Sequence, residues 1–335
     1  MVTHTWGVGG MVPEGQLNQF DRRLLSRFIA KTVFNKFGTP KGIPRRGGKS
    51  ISFRKLEVIV PTGNAATWGA QASAGGYLLT EGTPPAATNA SWSEVLATVS
   101  QYGQYSLISD MAEDQSIDDV TPEMVEAYTE SATMILDLAT RDVLVAGTNV
   151  QYASTAATRT TLGSGMYLTY AELREAKRTL KNQNATPVRS EGGKFVVITN
   201  PNAMFDLEAD TNVLNIWQNA GPRGDENQLF DVSFKDIPSG FRIYESTLTR
   251  VFASAGLSGA DVIATLVLAE EAYGKIKLEA MPMRVIRKPR GSGGATGDPL
   301  DQVASIGWKA SHTAVILQQN AMTRIEHVSS SKNSA

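Results

Sequence analysis

The side chains that most often carry chemistry are few in this chain, and they are not grouped. The three histidines are His4, His312 and His327, and none of them stands in a zinc-binding spacing such as H-E-x-x-H. His312 lies in a stretch that reads as a strand, where we expect a structural histidine and not a catalytic base. The chain has no cysteine, which excludes disulfides, a thiol nucleophile and a cysteine-ligated metal.

The remaining candidates for chemistry also lack the spacing that their chemistry requires. An acidic cluster is formed by Asp110, Glu113, Asp114, Asp118 and Asp119. It offers carboxylates to Ca²⁺ but has neither the spacing nor the glycine of an EF-hand loop. The run GSGGATG has Thr296 where the last glycine of G-x-G-x-x-G belongs, and Ser164 in LGSGM does not fit G-x-S-x-G. We therefore expect no enzymatic activity, no metal site and no cofactor.

The composition indicates a folded protein made without export. The chain has 335 residues, 41% of them hydrophobic and 19% charged, which suffices for a large core and two substructures. Its longest clean apolar run, residues 262–269, is too short to span a bilayer. Since no basic segment followed by an apolar run opens the sequence, we expect no signal peptide and no membrane.

The net charge of -1 conceals a strong asymmetry along the chain. Residues 16–56 contain eleven lysines and arginines and one acid, a net charge of +10. Residues 81–142 contain twelve acids and one arginine, a net charge of -11. Three interpretations are open. Both segments form solvated surfaces, or the basic segment is an arm that docks on the acidic region of a neighbouring copy. In the third interpretation the basic arm binds nucleic acid. We rank nucleic acid below subunit docking, because the arm lacks interleaved aromatic residues for base stacking.

Residues 121–147 predict one long helix, around which the rest of the chain is organised. Thr121 is placed to cap its N-terminus, Pro122 suits the first helical position, and Gly147 suits a left-handed C-terminal cap. An apolar stripe at helical spacing comprises Met124, Tyr128, Ala132, Ile135 and Leu138. Such a helix would be about 39 Å long and could act as a strut.

The residues before this helix predict a long two-stranded flap. A strand over residues 50–60 is followed by a Gly-, Ala-, Thr- and Pro-rich excursion over 61–93. The chain returns over 94–111 as a strand or a strand pair broken at Gly103. A flap of this kind is marginal alone in water, so we expect it to lie on another subunit. Upstream, residues 16–37 predict an amphipathic helix, and residues 38–48 predict an irregular turn.

The residues after the central helix alternate between helices and strands without a βαβ repeat. Thr169 and Glu172 form a capping box, with Leu168 and Leu173 as a hydrophobic staple. Asn200 and Pro201 start another helix. Strands are predicted over 194–199, 241–244, 262–269, 283–288, 303–317 and 322–328. The predicted fold class is therefore α+β.

Several phrases of the sequence resemble one family. They are LLTEGTPP (78–85), VSQYGQYSLISD (99–110), LDLATRDVLVAGTN (136–149) and DPLDQVASIGWKASHTAVIL (298–317), followed by MTRIEH. In their order and spacing they are similar to major capsid proteins of tailed double-stranded DNA bacteriophages. That fold is shared with herpesvirus capsid floors and encapsulin shells, and the resemblance covers nearly the whole chain.

The resemblance implies a domain order. Residues 1–50 match an N-terminal arm, and 51–96 match an extended loop. Residues 97–151 match a peripheral domain with its spine helix at 121–147. Residues 152–280 match an axial domain, and 281–335 match a C-terminal return to the peripheral domain.

The resemblance also implies a function and partners. The chain is expected to self-assemble into pentamers and hexamers that form an icosahedral shell around packaged double-stranded DNA, contacted non-specifically on the inner face. Scaffolding, portal and decoration proteins are its expected partners, and assembly in the host cell cytoplasm yields the virion capsid. Some relatives cross-link through a lysine of the extended loop, but residues 61–95 contain no lysine, so we expect no such cross-link.

The residues that we expect at subunit contacts come from the charge asymmetry and from the flap. The candidates are Arg22, Arg23, Arg27, Arg45, Arg46, Trp68, Tyr77, Leu78, Leu79, Trp92, Glu113, Asp114, Asp118 and Asp119. Two alternative functions stay open at this point. One is a cellular nanocompartment shell of the same fold with protein cargo, and the other is a nucleic-acid-binding protein that uses the basic arm.

Overall fold

Helices and strands alternate along the chain, as its mixed periodicities predict. A computed structural model describes residues 32–56, 81–82, 91–115, 120–214, 236–237, 240–279, 282–291 and 300–330. The helices are α1 (Asp110–Gln115), α2 (Val120–Val145), α3 (Tyr170–Asn182) and α4 (Pro201–Glu208). The strands are β1 (Thr39–Ile43), β2 (Ser50–Leu56), β3 (Trp92–Thr98), β4 (Ser100–Ser109), β5 (Val150–Tyr152), β6 (Phe195–Thr199), β7 (Asp236–Ile237), β8 (Phe241–Glu245), β9 (Val251–Phe252), β10 (Val262–Leu268), β11 (Tyr273–Leu278), β12 (Arg284–Lys288), β13 (Val303–Ile316) and β14 (Met322–His327). The α+β class predicted from the sequence is confirmed.

The long helix is present as α2, but its ends differ from the prediction. It begins at Val120, so Thr121 lies inside the helix and is not its N-cap. It ends at Val145, and Gly147 does not adopt the left-handed conformation predicted for a C-terminal cap. The end of the helix is completed by a side chain from β14, which is described below.

Two predictions near the N-terminus are wrong within the described residues. Residues 32–37 form turns and bends and do not continue a helix, while residues 16–31 lie outside the described part of the chain. The turn-rich stretch TPKGI forms β1, which pairs in parallel with β11 from Thr39↔Gly274 to Ile43↔Leu278. The partner strand overrides the poor strand propensity of Pro40 and Gly42.

The flap strands are present with one shift. The chain breaks at Val99, between β3 and β4, whereas the predicted break point, Gly103, lies inside β4. β2 and β3 pair with each other as a separate two-stranded sheet. The excursion between them lies almost entirely outside the described residues.

The remaining strands form two sheets. One has seven strands in the order β5-β14-β10-β6-β8-β7, with β9 on β10. The other has the order β1-β11-β13-β12, with β4 also on β13. Strands β6 and β10 are buried at every position, which explains why FVVIT and VIATLVL are apolar throughout.

Helix α3 covers the core with the face that the sequence predicts. Leu173, Ala176 and Leu180 are buried in the main hydrophobic cluster. Thr169 caps the helix, its hydroxyl accepting a hydrogen bond from the Glu172 nitrogen at 3.4 Å. The Glu172 carboxylate turns away to residues outside the helix, so only half of the predicted capping box forms.

The described residues divide into two compact units. The small unit is drawn from Gln104–Ser131 and Val285–Trp308. The large unit is drawn from Lys31–Gly103, Ala132–Arg284 and the residues after Trp308. The main hydrophobic cluster and the seven-stranded sheet belong to the large unit.

Candidate assembly surfaces

The β2–β3 hairpin is fixed to its own chain by one of its two faces. Alternate residues of each strand point the same way, so each face is a separate surface. Ile51, Phe53 and Ala97 form the inner face and pack with Ile43 and Ile276. The hairpin is therefore a stem with a defined orientation in the large unit.

The other face of the hairpin carries large apolar side chains that nothing in the described chain covers. Leu56 and Trp92 are directly opposite each other, with exposed fractions of 46% and 69%. Leu96 lies on the same face and is 64% exposed. Arg54 and Glu94 form the cross-strand pair between them. Large apolar side chains that are exposed together on one face, with a charged pair between them, are typical of an interaction site.

Residues 33–36 form a second fixed point, which we call the arm root because it follows the N-terminal segment. Asp137 of α2 is fully buried and accepts two backbone hydrogen bonds there. Its Oδ2 accepts from the Val33 nitrogen at 3.0 Å, and its Oδ1 accepts from the Asn35 nitrogen at 2.7 Å. A buried carboxylate needs such donors, and here the arm root supplies them.

Other side chains form hydrogen bonds with the Asn35 side chain and with its backbone carbonyl. The Thr140 hydroxyl donates to Asn35 Oδ1 at 2.7 Å and lies 2.9 Å from His312 Nε2. Lys275 Nζ donates to the Asn35 carbonyl at 2.6 Å. The arm root is thus held by α2, β11 and β13 together.

Burial shifts the ionisation of the groups around the arm root. It raises the pKa of the Asp137 carboxyl, against the opposing effect of the backbone N–H groups. It lowers the pKa of Lys275, and it lowers the pKa of His312 to about 4, with the Lys275 charge adding to the effect on the histidine. His312 is therefore neutral at physiological pH and acts as a structural hydrogen-bonding group, as its place in β13 predicted.

The C-terminal end of α2 is closed by Arg324 of β14 and not by a glycine cap. Arg324 Nη1 donates to the Val145 carbonyl and, at 3.1 Å, to the Gly147 carbonyl. A cation at the carboxyl end of a helix also opposes the negative end of the helix dipole. Gly147 is small for a packing reason, because a Cβ there would lie 3.1 Å from Met322 Cε.

Glu326 joins the arginine at this helix end to a second one. Its carboxylate, which is fully buried, accepts from Arg159 Nε at 2.8 Å and Nη2 at 2.6 Å. Its Oε1 also lies 2.8 Å from Arg324 Nε. The Arg159 guanidinium stacks over Phe252 with its carbon 3.6 Å from the ring centroid. Ion pairs and stacking thus tie the end of α2 to the seven-stranded sheet.

Within the small unit, two acids of the acidic region, Glu113 and Asp114, have arginine partners in the same chain. Asp114 receives a bidentate pair from Arg290, at 2.9 Å for each nitrogen. Glu113 lies 3.4 Å from Arg290 and 3.6 Å from Arg287. These side chains are partly exposed, and exposed pairs contribute little stability. They can therefore exchange partners at small cost.

The structure describes only some of the predicted contact residues. Arg45 and Arg46 are exposed in the turn between β1 and β2, and Trp92 is exposed on the hairpin. Those three belong to the large unit, whereas Glu113 and Asp114 belong to the small unit, so the structure gives no single site that joins them. The residues that lie outside the described part of the chain are Arg22, Arg23, Arg27, Trp68, Tyr77, Leu78, Leu79, Asp118 and Asp119.

The buried polar residues of α2 were missed by the sequence analysis. The predicted stripe included Ile135 and Leu138, which are only partly buried. Asp137 and Thr140 are fully buried instead. The available signal was a carboxylate and a hydroxyl three residues apart within an apolar helix, a spacing that places both on one face.

Arg324 and Glu326 were missed for a similar reason. They alternate in the short strand MTRIEH, whose six residues are all buried. Two opposite charges on one face of a buried strand predict an ion pair, because charges are buried only when paired.

The described residues contain no helix long and apolar enough to cross a membrane. Within the same part of the chain, no three or more histidine, aspartate or glutamate side chains are grouped so that they could hold a metal ion.

Comparison with known proteins places the chain beside phage capsids. The family model described as phage capsid protein matches residues 92–325. The capsid of cyanophage Pam1 is similar with a TM-score of 0.71 and 13% identity, over 96% of this chain and 99% of that one. The capsid of Ralstonia phage GP4 gives 0.69 and 11%, over 99% and 100%, and that of cyanophage P-SCSP1u gives 0.65 and 16%, over 94% and 93%. No curated protein sequence matches the chain.

Proposed function

The chain belongs to the phage capsid protein family and is a structural protein of the virion shell, and on that premise we propose how its copies assemble. They form pentamers and hexamers that close into an icosahedral shell around a double-stranded DNA genome. The role is structural, not enzymatic. Scaffolding, portal and decoration proteins are its proposed further partners.

The observation that carries this proposal is the uncovered face of the hairpin. Leu56, Trp92 and Leu96 lie on a ribbon whose opposite face is already packed on its own chain. Each copy therefore presents an exposed apolar face on a ribbon that is packed on its own chain, and we propose that it meets a different surface of the next copy. Contacts of this head-to-tail kind close into rings when the rotation permits. We propose that this face lies on a neighbouring copy.

The domain boundaries follow from the same premise. We propose an arm at 1–50, an extended loop at 51–96, a peripheral domain at 97–151 and 281–335, and an axial domain at 152–280. The described residues of the small unit all come from the two peripheral segments, which supports joining residues 104–131 with 285–308, whereas residues 132–151 and 309–330 belong to the large unit with the axial residues. The seven-stranded sheet also takes β14 from the last segment, so we propose that residues 322–327 pack with the axial domain.

The basic arm and the acidic region supply a second proposed contact. The arm of one copy, including Arg45 and Arg46, is proposed to dock on the acidic region of its neighbour. Glu113 and Asp114 would then exchange or share their arginine partners, which their exposure allows. Complementary charge sets the register of such a contact more than its strength.

Replacing Trp92 by Asp tests the hairpin contact. The side chain is 69% exposed, so the subunit should keep its circular dichroism spectrum and its unfolding transition. We expect the variant to need a subunit concentration at least about tenfold higher to assemble, because one interface hot spot is lost. Negative-stain electron microscopy and sedimentation would measure assembly. Glu94→Gln on the same face is the matched control and should form shells normally. Normal shells from Trp92→Asp would refute the hairpin contact.

A further inference from the structure

Helix α3 carries a line of cations that the assembly contacts do not use. The first of these cations is Arg174. The others come three, four and seven residues after it and are Lys177, Arg178 and Lys181. At 100° per residue they fall within an arc of about 100°. We call these four residues the basic stripe. All but Lys177 are exposed.

The acids of the same helix do not neutralise the stripe. The Glu172 carboxylate is turned to Gln151 Nε2 at 2.7 Å and to the Ser154 nitrogen at 2.8 Å. Glu175 lies at the edge of the stripe and pairs with Arg178 at 2.7 Å, with both side chains more than half exposed. The stripe therefore keeps a net positive charge at the surface.

Lys177 lies at the rim of the basic stripe, next to β8. Its Nζ lies 5.6 Å from the centroid of the Phe241 ring, so the ammonium is held against β8 at the rim of the stripe. Burial and the neighbouring Lys181 charge lower the pKa of Lys177. Like charges that are held together in this way create a local positive potential that attracts a polyanion.

We propose that the basic stripe binds the phosphate backbone of the DNA enclosed by the shell, an inference that rests on the function proposed above. The exposed residues of α3 include no large apolar side chain, whereas a protein interface is built on such anchors. From Arg174 to Lys181 the helix rises about 10.5 Å. That length matches about three phosphates of one strand at about 3.4 Å each. The binding is independent of base sequence, because every contact is to phosphate.

The test measures binding of a random-sequence DNA duplex to the full-length, unassembled subunit by fluorescence anisotropy at several salt concentrations. The triple variant Arg174→Gln, Arg178→Gln, Lys181→Gln removes three exposed cations and leaves Lys177 on Phe241. Each lost phosphate contact should reduce the salt slope by about 0.9. When the salt concentration rises from about 50 to about 200 mM, the affinity for DNA should fall for both proteins. The fold-decrease should be about 40 times larger for the wild type than for the variant. The double variant Arg174→Lys, Arg178→Lys keeps both charges and should keep wild-type binding.

The matched control replaces three exposed cations outside both the stripe and the basic arm, Arg250, Arg284 and Lys288, by glutamine. We expect its salt slope to change less than that of the α3 variant. An unchanged slope for the α3 variant, or an equal change in the control, overturns the assignment to the stripe. An α3 variant that binds DNA normally but forms no shells also overturns it, because α3 would then be a contact between copies. Failure of the wild type to form shells would instead count against the proposed function.

Discussion

The Asp137 carboxylate lies 2.7 Å from the backbone nitrogen of Asn35, a residue 102 positions earlier in the chain. This hydrogen bond and its neighbour from Val33 fix residues 33–35 against α2. A basic arm can reach a neighbouring copy in a defined direction only if its root is held. If the proposed arm docks on a neighbouring copy, Asp137 holds the root from which it extends, although the Asp137 side chain is itself fully buried.

Replacing Asp137 by Ala should destabilise the arm root. Two buried N–H groups lose their acceptor, and each unsatisfied group costs about 1–3 kcal/mol. We expect the free energy of unfolding, from urea titration, to fall by about 2–4 kcal/mol. Asp142→Ala is the control on the same helix, because the Asp142 side chain is 58% exposed. It should change stability by no more than about 0.5 kcal/mol. Equal effects of the two variants would show that Asp137 does not hold the root.

Acid should destabilise the subunit through two histidines. Burial lowers the pKa of both His312 and His327 from 6.5 to about 4. Between these values the unfolded chain binds more protons than the folded one, so stability is lost as the pH falls from about 6.5 to about 4. By pH 5 we expect a loss of about 2 kcal/mol per histidine. The raised pKa of Asp137 acts in the opposite direction, because its folded form binds the proton more readily.

The histidine effect can be separated from other titrations by a single replacement. His327 is fully buried, with Nε2 at 2.8 Å from the Thr265 hydroxyl. His327→Gln removes its titration, so urea unfolding at pH 7 and pH 5 should differ less for the variant than for the wild type. The same pH dependence in both proteins would exclude His327 as a source.

Removing the Glu326 charge should be strongly destabilising. Glu326→Gln leaves the guanidinium groups of Arg159 and Arg324 next to each other without their shared carboxylate. Breaking a buried ion pair from one side costs about 3–5 kcal/mol, which thermal unfolding should report. Glu175→Gln breaks the exposed pair with Arg178 and should cost at most about 1 kcal/mol. Comparable losses would mean that the Glu326 pairs contribute no more than surface pairs.

Leu78→Asp with Leu79→Asp should block shell formation while the subunit stays folded. These residues lie outside the described part of the chain, and their contact role is predicted from the flap sequence. Electron microscopy and sedimentation of the double variant would check this expectation. Intact shells would remove both leucines from the set of contact residues.

Mature particles should dissociate into single chains in hot detergent. Residues 61–95 contain no lysine, and Lys55, the lysine that residues 51–96 do contain, lies in β2, so we expect no amide cross-link from the extended loop. SDS gel electrophoresis of purified particles should show one band at the mass of the subunit. A ladder of covalent multimers would contradict this prediction.

The sequence predicted best those elements that carry their own local signals. Helix α3 begins after its predicted N-cap, Thr169, and the apolar strand β6 lies one residue from its predicted start. β1 could not be predicted, because TPKGI becomes a strand only through its pairing with β11. The glycine cap expected at Gly147 was wrong because Arg324 supplies the donors. Such errors arise where a partner from far along the chain decides the local structure.

The hairpin surface was predicted only in part, for the same reason. Trp92 was expected at a contact, and it is exposed on the outer face. Leu56 and Leu96 were not expected there, since their shared face follows from the register of β2 and β3. A one-residue slip in that register would have placed the two leucines on opposite faces.

Arg324 closes a helix that ends 179 residues before it. During translation, α2 therefore leaves the ribosome without the donors for its last carbonyls. At about 5–20 residues per second, those donors follow roughly 10–40 seconds later. His312, which contacts the arm root through Thr140, is also made late. A nascent chain therefore lacks both the donors for the end of α2 and the His312 contact with Thr140 until residues 312–324 have been made.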